Sequence, residues 1–254
     1  MSSNKEPHHF CIDNRYERGA ENHNALFERK PNTRYFGESS TGYLPWPIAA
    51  ERIARDLDHP KAIMILRHPV ERCFSHYRWL YRLGFENRGF LEAVKNDGFG
   101  YRPDRPSIFG YMAYLEFSQY SQQCPVWERA LGRENCLFLA SEDLLRDREK
   151  TLTRCFDFLS LPPFELSRGW TENKNETDTL GRHPTRAMTY VGRIVPYWLK
   201  LTANYRGLKN RILRAVAPTP PVSMTDEERN FVESTLVNDV EWFEAHFPTR
   251  KDAA

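Results

Sequence analysis

The sequence has no uninterrupted apolar run of the about 18 residues that a membrane span needs. Its opening residues, MSSNKEPHHF, also lack the apolar core of a secretory signal, so a cytoplasmic location is the expectation. The five cysteines are odd in number and scattered without a CxxC pair, which argues against a disulfide framework or a cysteine zinc site and predicts buried, reduced thiols. The absence of a GxxxxGK[ST] loop argues against a nucleotide kinase.

Acidic residues are missing from a long stretch near the C-terminus. Residues 179–225 contain no Asp or Glu, whereas residues 182–214 contain eight Lys and Arg. This basic segment predicts peripheral contact with a membrane interface or an anionic acceptor, and a solvated helix face explains it equally well. Nucleic acid is not an expected partner, because the formal net charge is only +2 and no known binding module accompanies the segment.

The composition of the 254 residues is that of a globular chain, with 40% apolar and 28% charged residues. We predict one α/β domain over residues 1–215 and a proline-rich linker, VAPTPPVSM, over residues 216–224. Residues 225–254 are predicted to form a C-terminal helix that is capped by Thr225 and docks on the same domain.

An apolar run and an amphipathic segment predict a strand followed by a helix. The run Ala62–Leu66 has no alternation, which is typical of a strand covered on both faces. Pro69 fits the first position of a helix, and Gly84 fits its end. The predicted buried stripe of this helix consists of Val70, Cys73, Phe74, Tyr77, Leu80 and Tyr81.

A second such unit is predicted from a strand over residues 135–140 into a helix capped by Ser141. A further amphipathic stripe (Leu152, Cys155, Phe156, Leu159) ends at the prolines 162 and 163. The pattern also predicts one long helix from Ser107 to Leu131 and a short third strand over residues 34–37. Alternating strands and helices indicate a three-layer α/β sandwich with a central, mostly parallel sheet.

Arg67 lies at the carboxyl end of the first predicted strand, where open α/β sheets bind their ligands. Its guanidinium matches a phosphate bidentately, and Ser75 lies about two helical turns further on, where its hydroxyl would reach the same anion. The alternative is that Arg67 pairs with a carboxylate such as Glu71 and that Ser75 is an ordinary helical serine.

The segment LRHPVERCFSHY resembles the 3′-phosphate-binding motif of sulfotransferases that use 3′-phosphoadenosine 5′-phosphosulfate (PAPS), in particular the heparan-sulfate type and its bacterial relatives. KEPHHF, GESSTGYL, ENCLFLASEDLLRD and FDFLSLPPF are similar to further motifs of that family, and four of these five motifs stand in the family's order between Lys5 and about Phe164. The resemblance implies a P-loop-NTPase-like sulfotransferase fold in which Arg67 and Ser75 bind the 3′-phosphate of PAPS. It implies sulfuryl transfer to a hydroxyl of a carbohydrate or other metabolite, without a metal.

The same resemblance places the general base at Glu6 and its companion at His8, whereas adjacent histidines near a chain start are otherwise often solvated. In an extended segment His8 shares a face with Glu6 and His9 does not. LGRHPTR partly resembles the family's C-terminal cofactor loop, which adds Gly181 and Arg182 to the cofactor site and, with a weaker match, Arg186.

Two departures from the family pattern bear on catalysis. Ser39 stands where many relatives have a lysine, and no Gly-rich 5′-phosphosulfate loop is found. The first strand and that loop are therefore missing from the predicted fold, which predicts a fragment, a misplaced start or a degenerate protein. The alternative function is a non-catalytic remnant that binds polyanions or lipids. Residues 101–109 are predicted to form one wall of the acceptor cleft, and the acceptor itself is not predicted.

Overall fold

A computed structural model of the chain describes residues 1–83, 85–98, 112–162 and 223–248. Two short 3₁₀ helices lie at Glu116–Ser118 and Arg133–Asn135. In chain order, the α-helices and strands are α1 (Asp13–Tyr16), α2 (Ala20–Asn24), α3 (Pro47–Asp56), β1 (Ala62–Leu66), α4 (Pro69–Leu83), α5 (Phe90–Lys95), α6 (Tyr120–Leu131), β2 (Cys136–Ala140), α7 (Ser141–Arg146), α8 (Arg148–Phe158), α9 (Asp226–Thr235) and α10 (Val237–His246).

The two described strands form a parallel pair, with Ala62 opposite Cys136 and Leu66 opposite Ala140. Each strand leads into a helix, β1 into α4 and β2 into α7, so both predicted strand–turn–helix units are confirmed. The second strand begins one residue later than predicted, because the preceding residues form a 3₁₀ turn. Since the strands are parallel, their carboxyl ends meet at one edge of the sheet, and the turns after them lie side by side.

One face of β1 is open. Ile63 and Ile65 are 36% and 52% exposed, whereas Leu66 at the end of the strand is 1% exposed. The expectation that both faces of this strand are covered is therefore wrong for the face with the two isoleucines. An apolar run has the same composition whether one face or both are covered, so the sequence pattern could not decide this point.

The predicted stripe of α4 lies in the core. Val70, Cys73 and Tyr77 are at most 1% exposed, and they pack against α5 and against Val232 and Leu236 from the C-terminal helices. A second cluster packs α3 against α6 and fixes the N-terminal segment through buried Phe10, Cys11, Trp46 and Trp127. The predicted end of α4 at Gly84 lies outside the described residues.

The predicted third strand is not formed. Residues 33–40 are irregular, and a backbone hydrogen bond there, from the Ser2 N–H to the Gly37 carbonyl at 2.9 Å, joins them to the chain start. Tyr35 and Phe36 are 40% and 46% exposed. Aromatic residues favour a strand only when they can pack on a neighbouring face, and these two side chains stay at the surface.

The long helix predicted from Ser107 to Leu131 is confirmed over Tyr120–Leu131 and is wrong for the described residues before it, 112–119. After the 3₁₀ helix the chain turns at Gln119 (ψ 63°), and only then does α6 begin. Before the 3₁₀ helix, the carboxylate of Asp97 accepts the backbone N–H groups of residues 114–116, a tertiary contact that stabilises this turn. A helix pattern read from sequence does not contain that distant acceptor.

The C-terminal segment forms two helices rather than one. Thr225 caps α9 as predicted, in a reciprocal capping box with Glu228, but the helix breaks at Leu236, whose side chain is 1% exposed. Ser141 does not cap α7 as predicted. It is the first residue of that helix, and its hydroxyl donates to the Glu142 carboxylate at 3.1 Å. Of the predicted linker, only residues 223 and 224 lie within the described part of the chain.

The five cysteines are unpaired, as predicted; Cys11, Cys73 and Cys124 are buried and the other two are partly buried. Burial raises the pKa of the Cys73 thiol to about 12, which keeps it protonated at neutral pH. Among the described residues, no helix is both long and apolar enough to cross a bilayer.

Candidate functional site

The turn that follows β1 is fixed from two neighbouring elements. Leu66, the last residue of β1, packs with Tyr120 of α6 in one buried cluster. The backbone N–H of His68 donates to a carboxylate oxygen of Glu142 at 3.1 Å, and Glu142 lies in the first turn of α7, directly after β2. Neighbouring strand ends therefore brace each other, and the Arg67 side chain leaves a backbone position that is held on both sides.

Arg67 and Ser75 line the same cavity. Its volume is about 320 Å³, within the range of small-ligand sites, and Phe74 and Met224 form its apolar part. Its described charged and hydroxyl side chains come from the residue after β1, from α4, from the segment before α9 and from α9 itself; they are Arg67, Glu71, Ser75, Arg78, Ser223 and Arg229. The described part of the lining holds three guanidinium groups and one carboxylate, a set that suits an anionic ligand.

The spacing on α4 explains how this helix supplies half of that lining. Glu71, Ser75 and Arg78 follow one another at intervals of four and three residues, which places them on one face of the helix. The opposite face of α4 is the buried stripe, so this polar face must point away from the core. The register set by the stripe therefore directs Ser75 toward the cavity.

Glu71 takes part in two ion pairs within the cavity. Its Oε1 accepts a hydrogen bond from Arg229 Nη2 at 2.7 Å, and its Oε2 lies 3.8 Å from Arg67 Nη2. The alternative that Arg67 pairs with Glu71 is thus realised only as a long contact, while Arg67 remains 45% exposed at the cavity. Both alternatives for Arg67 are compatible with this geometry, since the carboxylate occupies the place where an anion would bind.

Sequence reasoning missed two of the cavity's cations. Arg78 lies three residues after Ser75, so helical periodicity alone pointed to it. Arg229 gave no such signal, because it lies 158 residues beyond Glu71 along the chain and reaches the cavity only through the packing of α9 on α4.

Glu6 and His8, the predicted catalytic pair, are in contact with each other at a separate place. His8 Nε2 lies 3.3 Å from Glu6 Oε2, and the Thr41 hydroxyl donates to the same oxygen at 3.1 Å. Neither residue is among those that line the cavity of Arg67. Burial lowers the pKa of His8, and the Glu6 carboxylate acts against that shift.

The backbone at this pair is unusual. Glu6 and His8 have φ angles of +54° and +49°, in the left-handed region that residues with a Cβ rarely adopt. Such conformations persist only where the surroundings enforce them, and they are frequent at functional sites. The segment is therefore not extended, so the alternation argument for choosing His8 over His9 rested on a wrong premise, although His8 is indeed the histidine that contacts Glu6.

A buried network under the loop of residues 37–44 holds this segment. Glu38 accepts hydrogen bonds from His23 (2.9 Å) and from the hydroxyls of Tyr43 (2.8 Å) and Ser40 (2.9 Å). Ser40 Oγ in turn accepts the backbone N–H of His8 at 3.0 Å. Burial alone would raise the pKa of Glu38, but these three hydrogen bonds outweigh it and lower the pKa.

His9 points to the other side and stacks on His23, with ring centroids 4.4 Å apart and the planes 10° from parallel. It is 6% exposed and belongs to the packing of the N-terminal segment. The remaining predicted residues, namely Gly181, Arg182 and Arg186, the basic segment 182–214 and residues 101–109, lie outside the described residues. In the part of the chain that the structure describes, no group of three or more His, Cys, Asp or Glu is arranged to hold a metal ion.

Comparison with known proteins bears on the fold. Neither protein-family profiles nor curated protein sequences match this chain. Among solved structures, the crystal structure of a sulfotransferase from Alicyclobacillus acidocaldarius is similar with a TM-score of 0.65 and 20% sequence identity, over 96% of this chain and 83% of that one. The fold is a sulfotransferase fold. This confirms the predicted class, an α/β fold with a parallel sheet.

The sulfotransferase fold places the cavity in an expected position. It lies beyond the carboxyl end of β1 and beside the first turns of the following helix, where α/β sheets bind phosphate groups. At 20% identity the likeness concerns the fold alone, so the roles of Glu6, His8, Arg67 and Ser75 stay predictions.

Proposed function

We propose that the chain is a PAPS-dependent sulfotransferase that transfers a sulfuryl group to a hydroxyl of a carbohydrate or other metabolite. The observation that supports this most directly is the shared cavity of Arg67 and Ser75. The motif resemblance assigns these two residues to one phosphate, and they line one cavity in a chain with a sulfotransferase fold.

The chemistry of the cavity fits a phosphate dianion. Arg67, Arg78 and Arg229 bring three positive charges, Glu71 removes one, and hydroxyls of Ser75 and Ser223 add neutral donors. Arginine forks bind a phosphate bidentately, which fixes the orientation of a nucleotide as well as its affinity.

In the proposed reaction Glu6 accepts the proton of the acceptor hydroxyl. The acceptor oxygen forms a bond to sulfur while the bond between sulfur and the phosphate oxygen of PAPS breaks, and the products are a sulfate ester and adenosine 3′,5′-bisphosphate. The Thr41 hydroxyl and the His8 ring hold the Glu6 carboxylate in one orientation. A base that is already oriented avoids the entropy cost of positioning it in the transition state.

Binding of adenosine 3′,5′-bisphosphate tests this proposal. A hundredfold excess over Kd stabilises the folded state by about 2.7 kcal/mol, so the melting temperature rises by several degrees. Arg67→Ala should abolish this rise, because it removes the bidentate partner of the 3′-phosphate. Arg133→Ala is the matched control. The Arg133 side chain is 88% exposed, and within the described residues its ion pair is a long contact with Glu128 at 3.7 Å. A wild-type protein without any rise, or an Arg67→Ala variant that keeps it, overturns the proposal.

A transfer assay distinguishes the enzyme from the alternative, a polyanion- or lipid-binding module without turnover. Wild-type protein is incubated with PAPS labelled in the sulfuryl group and with a panel of carbohydrate and small hydroxyl acceptors. Labelled sulfate ester supports the enzyme, whereas tight bisphosphate binding without transfer to any acceptor supports the module. The acceptor class, the cytoplasmic location and membrane contact through residues 182–214 stay predictions.

A further inference from the structure

The C-terminal helix α9 contributes a charged side chain to the anion cavity that the motif resemblance does not include. Arg229 lines the cavity together with Arg67, and both guanidinium groups face the same carboxylate. Glu71 Oε1 accepts from Arg229 Nη2 at 2.7 Å, and Glu71 Oε2 lies 3.8 Å from Arg67 Nη2. The three side chains thus form a row of cation, anion and cation along the cavity wall.

The Glu71 carboxylate has the charge sign and the planar pair of oxygens that a guanidinium binds in a phosphate. Because each arginine offers five N–H donors, one carboxylate shared between two arginines leaves donors on both of them for a second anion. The row is also accessible to a ligand, since Arg67, Glu71 and Arg229 are 45%, 32% and 42% exposed. A second, longer contact of Arg229 with Glu233 at 3.6 Å lies on the same helix.

We infer that Arg229 is a direct ligand of the phosphate that Arg67 binds, and that Glu71 is an internal anion which competes with that phosphate. This inference rests on the proposed function, and it adds a specificity-determining residue from α9 to the site. On binding, a phosphate oxygen replaces Glu71 Oε2 beside Arg67 and also reaches Arg229. Two opposite consequences follow: loss of Arg229 weakens phosphate binding, and loss of the charge on Glu71 strengthens it.

A purely structural role predicts a different pattern. If Arg229 serves only to clamp α9 onto α4, then Glu71 and Arg229 are equal partners in that clamp. Removing either one would lower stability to a similar extent and would change ligand affinity in the same direction. The sign of the Glu71 effect on affinity therefore separates a competing anion from a clamp.

The experiment is isothermal titration calorimetry on the full chain with three probes: adenosine 3′,5′-bisphosphate, adenosine 5′-monophosphate, which lacks the 3′-phosphate, and inorganic phosphate. We expect Arg229→Gln to weaken binding of the bisphosphate roughly tenfold and Glu71→Gln to strengthen it roughly fivefold, in line with single charged hydrogen bonds. Both variants should leave the affinity for the monophosphate unchanged within about twofold. Arg133→Ala again serves as the exposed control.

The double variant Arg229→Gln/Glu71→Gln keeps an amide pair between α4 and α9 and reports on folding. If Arg229→Gln alone melts at a much lower temperature than the wild type, the double variant is used in its place. Its affinity for the bisphosphate is then compared with that of Glu71→Gln, and the same tenfold loss of affinity is expected. The inference is overturned if both single variants weaken bisphosphate binding, if neither changes it, or if the monophosphate responds as strongly.

Failure of the proposed function gives another pattern. If the wild-type protein binds the bisphosphate no better than the monophosphate, the PAPS site is refuted, and the affinities for inorganic phosphate then test the Arg229 inference by themselves. The inference holds if Arg229→Gln binds inorganic phosphate more weakly than the wild type and Glu71→Gln binds it more strongly. A wild-type protein that binds neither the bisphosphate nor phosphate overturns both.

Discussion

At the scale of single residues, Glu38 illustrates how the candidate base is kept in place. Its carboxylate is 12% exposed and accepts hydrogen bonds from His23, Tyr43 and Ser40. We expect Glu38→Ala to lower the free energy of unfolding by roughly 2 kcal/mol, because it leaves buried donors without an acceptor. Urea denaturation followed by tryptophan fluorescence measures this loss.

The control for that prediction is Glu28→Ala. Glu28 has a side chain that is 80% exposed and a long contact to Lys30 at 3.5 Å, so its loss should change stability by less than about 0.5 kcal/mol. Equal effects of the two substitutions would contradict the role assigned to the Glu38 network.

Sequence reasoning reached some of these residues and not others for a physical reason. Arg67 and Ser75, which the motif resemblance pairs, line one cavity because the end of one strand and the helix that follows it carry both. The bracing of Glu6 by Thr41, and of the His8 N–H by Ser40, joins segments more than 30 residues apart through a backbone with positive φ angles. No local pattern specifies such a backbone at residues other than glycine.

At the scale of elements, α9 depends on its N-terminal cap. The Thr225 hydroxyl accepts the Glu228 N–H at 3.2 Å, and the Glu228 carboxylate accepts the Thr225 N–H at 2.8 Å. The Arg229 N–H donates to the Thr225 carbonyl at 3.0 Å, so the cap also fixes the first turn that presents Arg229. We expect Thr225→Ala to lower the free energy of unfolding by about 1 kcal/mol, measured in urea.

Ser234→Ala provides the comparison within the same helix. The Ser234 hydroxyl donates to the Phe231 carbonyl at 2.9 Å near the end of α9, a bond that competes with the helix rather than completing it. Its loss should be neutral or slightly stabilising. If Ser234→Ala destabilised the protein as much as Thr225→Ala, the cap would have no special role.

Elements defined by their own sequence were predicted well, and elements defined by distant contacts were not. The strands at residues 62–66 and 136–140 and the helix that begins at Pro69 follow from apolar runs and a helix-starting proline. Asp97 holds the backbone of residues 114–116 before α6, and the break between α9 and α10 is at Leu236, whose side chain lies in the core. Tertiary contacts override helix propensity at such points, which is why one long helix was predicted in each place.

At the scale of the whole molecule, buried ionisable groups make stability depend on pH. Burial alone would raise the pKa of Glu38 and Glu86, but hydrogen bonds to their carboxylates outweigh it and lower the pKa. These carboxylates therefore stabilise the fold above about pH 4.5, and that contribution disappears as the pH falls through their lowered pKa values. Burial raises the pKa of Asp97 and Glu116. Their effect on stability has the opposite sign, because their ionisation destabilises the folded state as the pH rises.

His76 gives the pH effect that is easiest to isolate. Burial, followed by the nearby Arg72 guanidinium, lowers its pKa well below 6.5, and its ring packs on Tyr114 and Phe117. The unfolded chain therefore binds the proton first, so stability is complete above about pH 6.5 and declines as the pH falls below it, by up to 1.4 kcal/mol per pH unit. We expect His76→Gln to lose about 1 kcal/mol less free energy of unfolding than the wild type between pH 6.5 and 5.5 in urea titrations.

The two proteins have the same carboxylates, so the difference between their curves reports the imidazole alone. The control is His59→Gln, at a side chain that is 91% exposed, and its curve should follow that of the wild type. Parallel curves for His76→Gln and the wild type would contradict a neutral, half-buried His76.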